Sequence, residues 1–110
     1  MSEERIEKAK SAIEAADHIS AGKKTELLRM LSKLKPAIAR VAQTHEEDAG
    51  SIARMVEAST HEATRKKKRP ELLRTVLRAL KQSVENFESS HPDLVASVTQ
   101  YSGFLSGMGL

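Results

Sequence analysis

Cysteine and tryptophan are absent from this chain of 110 residues, and its other aromatic residues are one tyrosine and two phenylalanines. Without cysteine the chain has no disulfide, no thiolate zinc site and no thiol nucleophile. Leucine, isoleucine, valine and phenylalanine together number only 24, which is a small supply for the core of a single domain. We therefore expect one domain over residues 1–110 with narrow helix–helix contacts, some of them completed by a second copy.

Long apolar segments are also scarce. The one long uncharged segment, residues 94–110, is interrupted by serine, threonine, glutamine and three glycines, so a membrane span is not expected. The first five residues include three charged ones and lack the apolar segment of a signal peptide. These features predict a cytoplasmic protein that does not enter a membrane.

Apolar residues recur at steps of three and four along most of the chain, which predicts an all-α protein of about five amphipathic helices in a bundle or coiled-coil-like packing. The clearest pair covers 72–89 and 93–108, joined by Ser90-His91-Pro92, and it is expected to form an antiparallel hairpin. Pro36 lies inside the second helix, where the unshifted pattern favours a kinked helix over a break at Lys35.

The weakest predicted helix is the third, over residues 45–65. Thr44 and Glu47 have the spacing of a capping box, with Thr44 as the N-cap. The apolar face of this helix is sparse, and Gly50 lowers its helix propensity further. The sequence leaves open whether this segment is a stable helix or is partly disordered in isolation.

Four histidines are candidates for metal binding or acid–base chemistry: His18, His45, His61 and His91. Glu88 and His91 have the spacing used in di-iron bundles, but such a site needs a second pair that the sequence lacks. The sequence also has no nucleophile elbow and no glycine-rich phosphate loop. We therefore expect no enzyme, no catalytic residue, no cofactor and no metal, with His91 capping or packing at a helix junction.

Five of the 18 basic residues are consecutive, and we call residues 65–69 the basic segment. The other 13 basic residues face 15 acidic ones, so the net charge of the chain depends on this segment. A solvated helix end is the favoured interpretation. The alternative is a phosphate-binding site formed by the whole segment: Arg65, Lys66, Lys67, Lys68 and Arg69.

The C-terminal half of the chain carries a resemblance. The segment from Phe87 to Leu94, with the pattern Phe-Glu-x-x-His-Pro-x-Leu, and the Met-Gly-Leu ending resemble a family of small bacterial helical proteins known as a domain of unknown function. The segment His61-Glu62-Ala63-Thr64-Arg65 is similar to another part of that family, whereas Thr99 and Gly107 stand where similar proteins often have asparagine. The resemblance supports a compact bacterial cytosolic helical protein and does not imply any activity, cofactor or catalytic residue.

Together these observations predict a non-enzymatic helical interaction or scaffold protein that acts as a homo-oligomer, a dimer or a higher even-numbered assembly. Two-fold pairing of hairpins would supply the apolar contacts that one chain lacks. The alternative is a small nucleic-acid-associated protein that uses the basic segment. The protein partner is not identified by any sequence feature.

Overall fold

The computed structural model describes residues 2–109, and none of these residues lies in a strand. Five α-helices form a bundle of 38 × 23 × 20 Å, which confirms the all-α prediction. Their bounds are α1 Ser2–Ala15, α2 Ala21–Ala42, α3 Glu46–Thr64, α4 Pro70–Val84 and α5 Pro92–Gly109, with a short 3-10 helix at Glu85–Phe87. Among residues 2–109, no helix combines the length and the apolar character that a membrane crossing requires.

The helix ends show where local sequence signals were correct and where they were wrong. Ser20 caps α2, because its hydroxyl accepts a hydrogen bond from the backbone N–H of Lys23 at 3.3 Å. Pro36 is exposed and α2 continues through it to Ala42, so the alternative of a break at Lys35 is wrong.

The predicted capping box at Thr44 is also wrong, since the N-cap of α3 is His45 and no side chain caps this helix. The backbone N–H groups of Thr44 and His45 both donate to the carbonyl of Val41, at 3.2 and 2.7 Å. Thr44 therefore lies in the turn that follows α2, and its hydroxyl contacts Nδ1 of His45 at 2.8 Å.

The helix α3, predicted to be the weakest, lies at the centre of the bundle and packs against all four other α-helices. Three of its alanines are fully buried, and such small side chains let neighbouring helices approach closely. By contrast, α1 packs only on α2 and α3, whereas α4 packs only on α3, α5 and the 3-10 helix. The low apolar density of α3 therefore accompanies close packing at the centre of the bundle, and its disorder in isolation stays a prediction. The buried alanines are Ala49, Ala53 and Ala63.

The hairpin of α4 and α5 is confirmed, although its first helix ends at Val84 and continues as the 3-10 helix rather than running to residue 89. Both apolar stripes are buried: Leu73, Leu77, Leu80, Val84 and Phe87 on the first arm, and Leu94, Val98, Tyr101 and Leu105 on the second. At the turn, the ring of Phe87 lies between His45 and His91, at centroid distances of 5.3 and 5.8 Å. His91 therefore packs at the helix junction, as expected.

The core is completed within one chain. All the apolar stripes predicted from the sequence are largely buried among the five helices, and Leu72, at 37%, is the exposed large hydrophobic residue among residues 2–109. The single tyrosine also connects two helices, since the hydroxyl of buried Tyr101 on α5 lies 2.6 Å from that of Thr60 on α3. The sequence-based reason for a second copy, a shortage of core, does not hold.

Candidate functional site

The basic segment forms the connection between α3 and α4, and its two arginines turn back onto one buried carboxylate. Arg65 donates from Nη1 to Oε1 of Glu62 at 3.2 Å. Arg69 donates to both oxygens of the same carboxylate, from Nε at 3.2 Å and from Nη2 at 2.7 Å. The Glu62 side chain is only 7% exposed, and the two hydrogen bonds from Arg69, with the one from Arg65, hold the pKa of Glu62 below its usual range.

The three lysines of the basic segment have different surroundings. The ammonium of Lys68 donates to the carbonyl of Ala63 near the end of α3, and burial, with a contribution from the charge of Lys23, lowers the pKa of Lys68. Lys66 lies 3.7 Å from Asp17 in a pair that is about three-quarters exposed on both sides and therefore weak. Lys67 is exposed and forms no ion pair within residues 2–109.

The five predicted phosphate-binding residues are therefore neighbours in space but do not present five outward charges. Arg65, Lys68 and Arg69 hydrogen-bond to α3, whereas Lys66 and Lys67 form no such bond within residues 2–109. Residues 66–69 are all exposed. Sequence alone did not reveal this difference, because the acid that binds both arginines lies in the preceding helix. Phosphate binding by the whole segment stays a prediction.

The histidines do not come together as a site. His45 and His91 lie on either side of Phe87, His18 lies 3.6 Å from Asp17 in the connection between α1 and α2, and His61 is exposed on α3. Over the described part of the chain, no three histidine or acidic side chains form a group that would hold a metal ion.

A groove of about 440 Å³ runs between α1 and α3, and alanines and Met55 lie along it. Arg5 reaches across from α1 and donates to Oε1 of Glu57 on α3 at 2.9 Å. This bridge ties the two helices together. The groove thus combines small residues at a helix–helix contact with further ionisable side chains, Lys8, Arg54 and His61.

A second groove, which sequence analysis missed, lies between α4 and α5 and has a volume of about 360 Å³. One wall carries three cations, Arg74, Arg78 and Lys81, and the other carries Ser102, Gly103 and Ser106. The signal for it was present in the sequence, since positions 74, 78 and 81 share one side of a helix. It went unnoticed because the cations are dispersed along α4 rather than consecutive.

Comparison of the chain with protein-family models, with curated proteins and with solved structures gave no match.

Proposed function

We propose that this chain is a non-enzymatic helical interaction protein, which binds its partners through charged surfaces of the folded bundle. The supporting observation is that its buried ionisable groups are bound to other side chains of the fold. Within residues 2–109 these are Glu62 and Tyr101, and both are bound to structural partners, two arginines and Thr60. Active sites, by contrast, commonly hold perturbed ionisable groups in a cleft that substrate reaches.

The proposal extends the resemblance to small bacterial helical proteins, which itself implies no activity. It includes a cytoplasmic location, with which a chain without cysteine is consistent. The interaction surface is expected to be polar, since the apolar stripes of the helices are already buried in the chain.

The test is affinity capture of a tagged copy from its native host, followed by binding measurements with the purified partner. We expect one protein to be retained in a stoichiometric amount. Its affinity should fall when one pair of exposed charges is neutralised and stay unchanged when a distant pair is neutralised. Suitable pairs are Arg78→Gln with Lys81→Gln on α4, and Lys8→Gln with Lys10→Gln on α1. Failure to retain any protein stoichiometrically contradicts the proposal.

The homo-oligomer stays a prediction that light scattering coupled to size exclusion decides. A second copy would have to pair through charged and half-buried side chains, because no large apolar stripe of residues 2–109 is left uncovered. A mass of 12.1 kDa at every concentration rejects self-association, and a mass of twice that value supports it. The interaction proposal survives the first result, since a heterologous partner does not require a second copy.

The alternative function, nucleic-acid association through the basic segment, now depends most on Lys66 and Lys67, the two residues of the segment that form no hydrogen bond to α3 within residues 2–109. If each neutralises one phosphate, the log–log salt slope of duplex binding should be near −1.8, with weak affinity at physiological salt. Fluorescence anisotropy with a labelled duplex checks this in the wild type, in the variant with Lys66→Gln and Lys67→Gln, and in the α1 control with Lys8→Gln and Lys10→Gln. Tight binding that only the first variant abolishes would replace the interaction proposal.

A further inference from the structure

The groove between α4 and α5 has a wall of cations that acidic side chains do not neutralise. Arg74, Arg78 and Lys81 follow one another at steps of four and three, so they lie along about 10 Å of one helix edge. Arg74 binds Glu71 at 3.0 Å, but that carboxylate is 93% exposed, and the pair contributes little. Arg78 and Lys81 form no ion pair anywhere in residues 2–109.

The opposite wall adds hydroxyl donors and no negative charge. The only acidic residue of α5 is Asp93, which binds Arg40 of α2. Ser102, Gly103 and Ser106 line this wall. A Cβ atom added at position 103 would meet no atom within 4 Å, so there is open space at this point of the wall.

Ser102 is the unusual residue of the groove, because its side chain is buried but has no hydrogen-bond partner. The residue is 2% exposed, and Oγ bonds to no group within residues 2–109. Hydroxyls of comparable helical residues donate to the carbonyl four residues back, as Thr99 does to Val95 at 2.8 Å. A buried hydroxyl without a partner destabilises a fold, which suggests that a ligand supplies the missing acceptor.

We propose that this groove binds the phosphoryl group of a small soluble molecule. A phosphate presents several acceptor oxygens and a double negative charge. Guanidinium groups match those oxygens as planar forks, and the hydroxyl of Ser102 donates to one more. The cation row is only about 10 Å long, which suits a phosphate or diphosphate better than the extended backbone of a duplex. This site goes beyond the proposed interaction function and does not require it.

The probes for the test are inorganic phosphate and pyrophosphate, titrated into the full chain by isothermal calorimetry at physiological salt. We expect saturable binding with one site per chain. Neutralising Arg78 and Lys81 together as Gln should weaken it at least tenfold, because two charged donors are lost. The control is Lys8→Gln with Lys10→Gln, which removes the same charge from α1, a helix that contacts neither α4 nor α5. This control should stay within about twofold of wild type, since distant exposed charges are screened.

The hydroxyl is tested by a second matched pair, Ser102→Ala and Ser59→Ala. Both residues are buried, and both hydroxyls lack a partner within residues 2–109, but only Ser102 lines the groove. We expect both variants to melt at or above the wild-type temperature, because each loses an unsatisfied polar group. Only Ser102→Ala should weaken pyrophosphate binding, by roughly tenfold.

Four results would overturn the proposal. The first is the absence of saturable binding of either probe. The second is equal weakening by both charge-neutralised pairs, which indicates general electrostatic attraction. The third is wild-type affinity in Ser102→Ala. Sedimentation with phosphatidylcholine vesicles, with and without phosphatidic acid, separates the sources of the phosphoryl group. Binding to the vesicles in place of pyrophosphate would assign a lipid and contradict a small soluble ligand.

Discussion

The carboxylate of Glu62 provides the most decisive test of how the helices α3 and α4 are joined. It accepts three hydrogen bonds from Arg65 and Arg69 while only 7% of its side chain is exposed. Replacing Glu62 with Gln keeps the shape but removes the charge, so the arginines lose their partner. Hydrogen bonds to charged groups contribute about 1.5–3 kcal/mol each, with non-additive effects in one cluster. We expect the free energy of unfolding to fall by about 2–3 kcal/mol at pH 7.

The pH dependence gives the same test a second readout. Because the arginines hold the pKa of Glu62 below its ordinary value of 4.5, the ionised carboxylate stabilises the fold fully above that value. This stabilisation is lost as the pH falls through the lowered pKa of the folded state. The wild type and Glu62→Gln should therefore differ at pH 7 and converge in strongly acidic solution.

Urea unfolding followed by circular dichroism at several pH values measures both effects. The control is Glu57→Gln on the same helix, because Glu57 binds a single arginine at 2.9 Å and is 26% exposed. It should cost less than about 1 kcal/mol. Equal stability of Glu62→Gln and wild type at pH 7 would refute the assignment of Glu62 as the carboxylate that fixes this turn.

Three further predictions concern the packing. Leu80→Ala, at a fully buried position of α4, should cost about 2–5 kcal/mol in urea unfolding, and an unchanged midpoint would show that the apolar stripe is misassigned. Burial raises the pKa of Tyr101 above its ordinary value of 10, so the neutral form stabilises the fold below that pH. Tyrosinate absorbance at alkaline pH should therefore appear only together with unfolding, and free titration of the folded protein would contradict its burial. The Cβ that Gly107→Ala adds would meet no atom within 4 Å. This variant should therefore raise the free energy of unfolding by up to about 1 kcal/mol, whereas a lower free energy of unfolding would show that the last turn needs glycine.

The hairpin of α4 and α5 was predictable because large apolar residues mark the buried side of a helix directly. Leu73, Leu77 and Leu80 recur at the helical period, and the structure buries all of them. Pro70 and Pro92 open their helices because a proline tolerates the first turn of a helix. In these segments the helix signals of the local sequence agree with the observed burial. The spacing of apolar residues along the chain was therefore enough to predict both helices and their buried sides.

The central position of α3 was not predictable in the same way. A count of apolar residues gives little weight to alanines such as Ala49 and Ala53, yet their small size is what allows four helices to approach. The ion pairs were equally hidden, because Arg40 meets Asp93 across 53 positions of the chain. The cationic groove depends on two helices at once, so neither helix alone revealed it.

The central placement of α3 has a consequence for the order of folding. Alone, a helix of 19 residues with few large side chains gains little from its own turns, since helix nucleation is unfavourable. The flanking pairs, α1 with α2 and α4 with α5, are joined by short connections and gather contacts locally. Neither pair closes the core without α3, and α3 has nothing to pack on until a pair has assembled. We expect both hairpins to form early and α3 to consolidate last, which makes the final step cooperative for the whole chain.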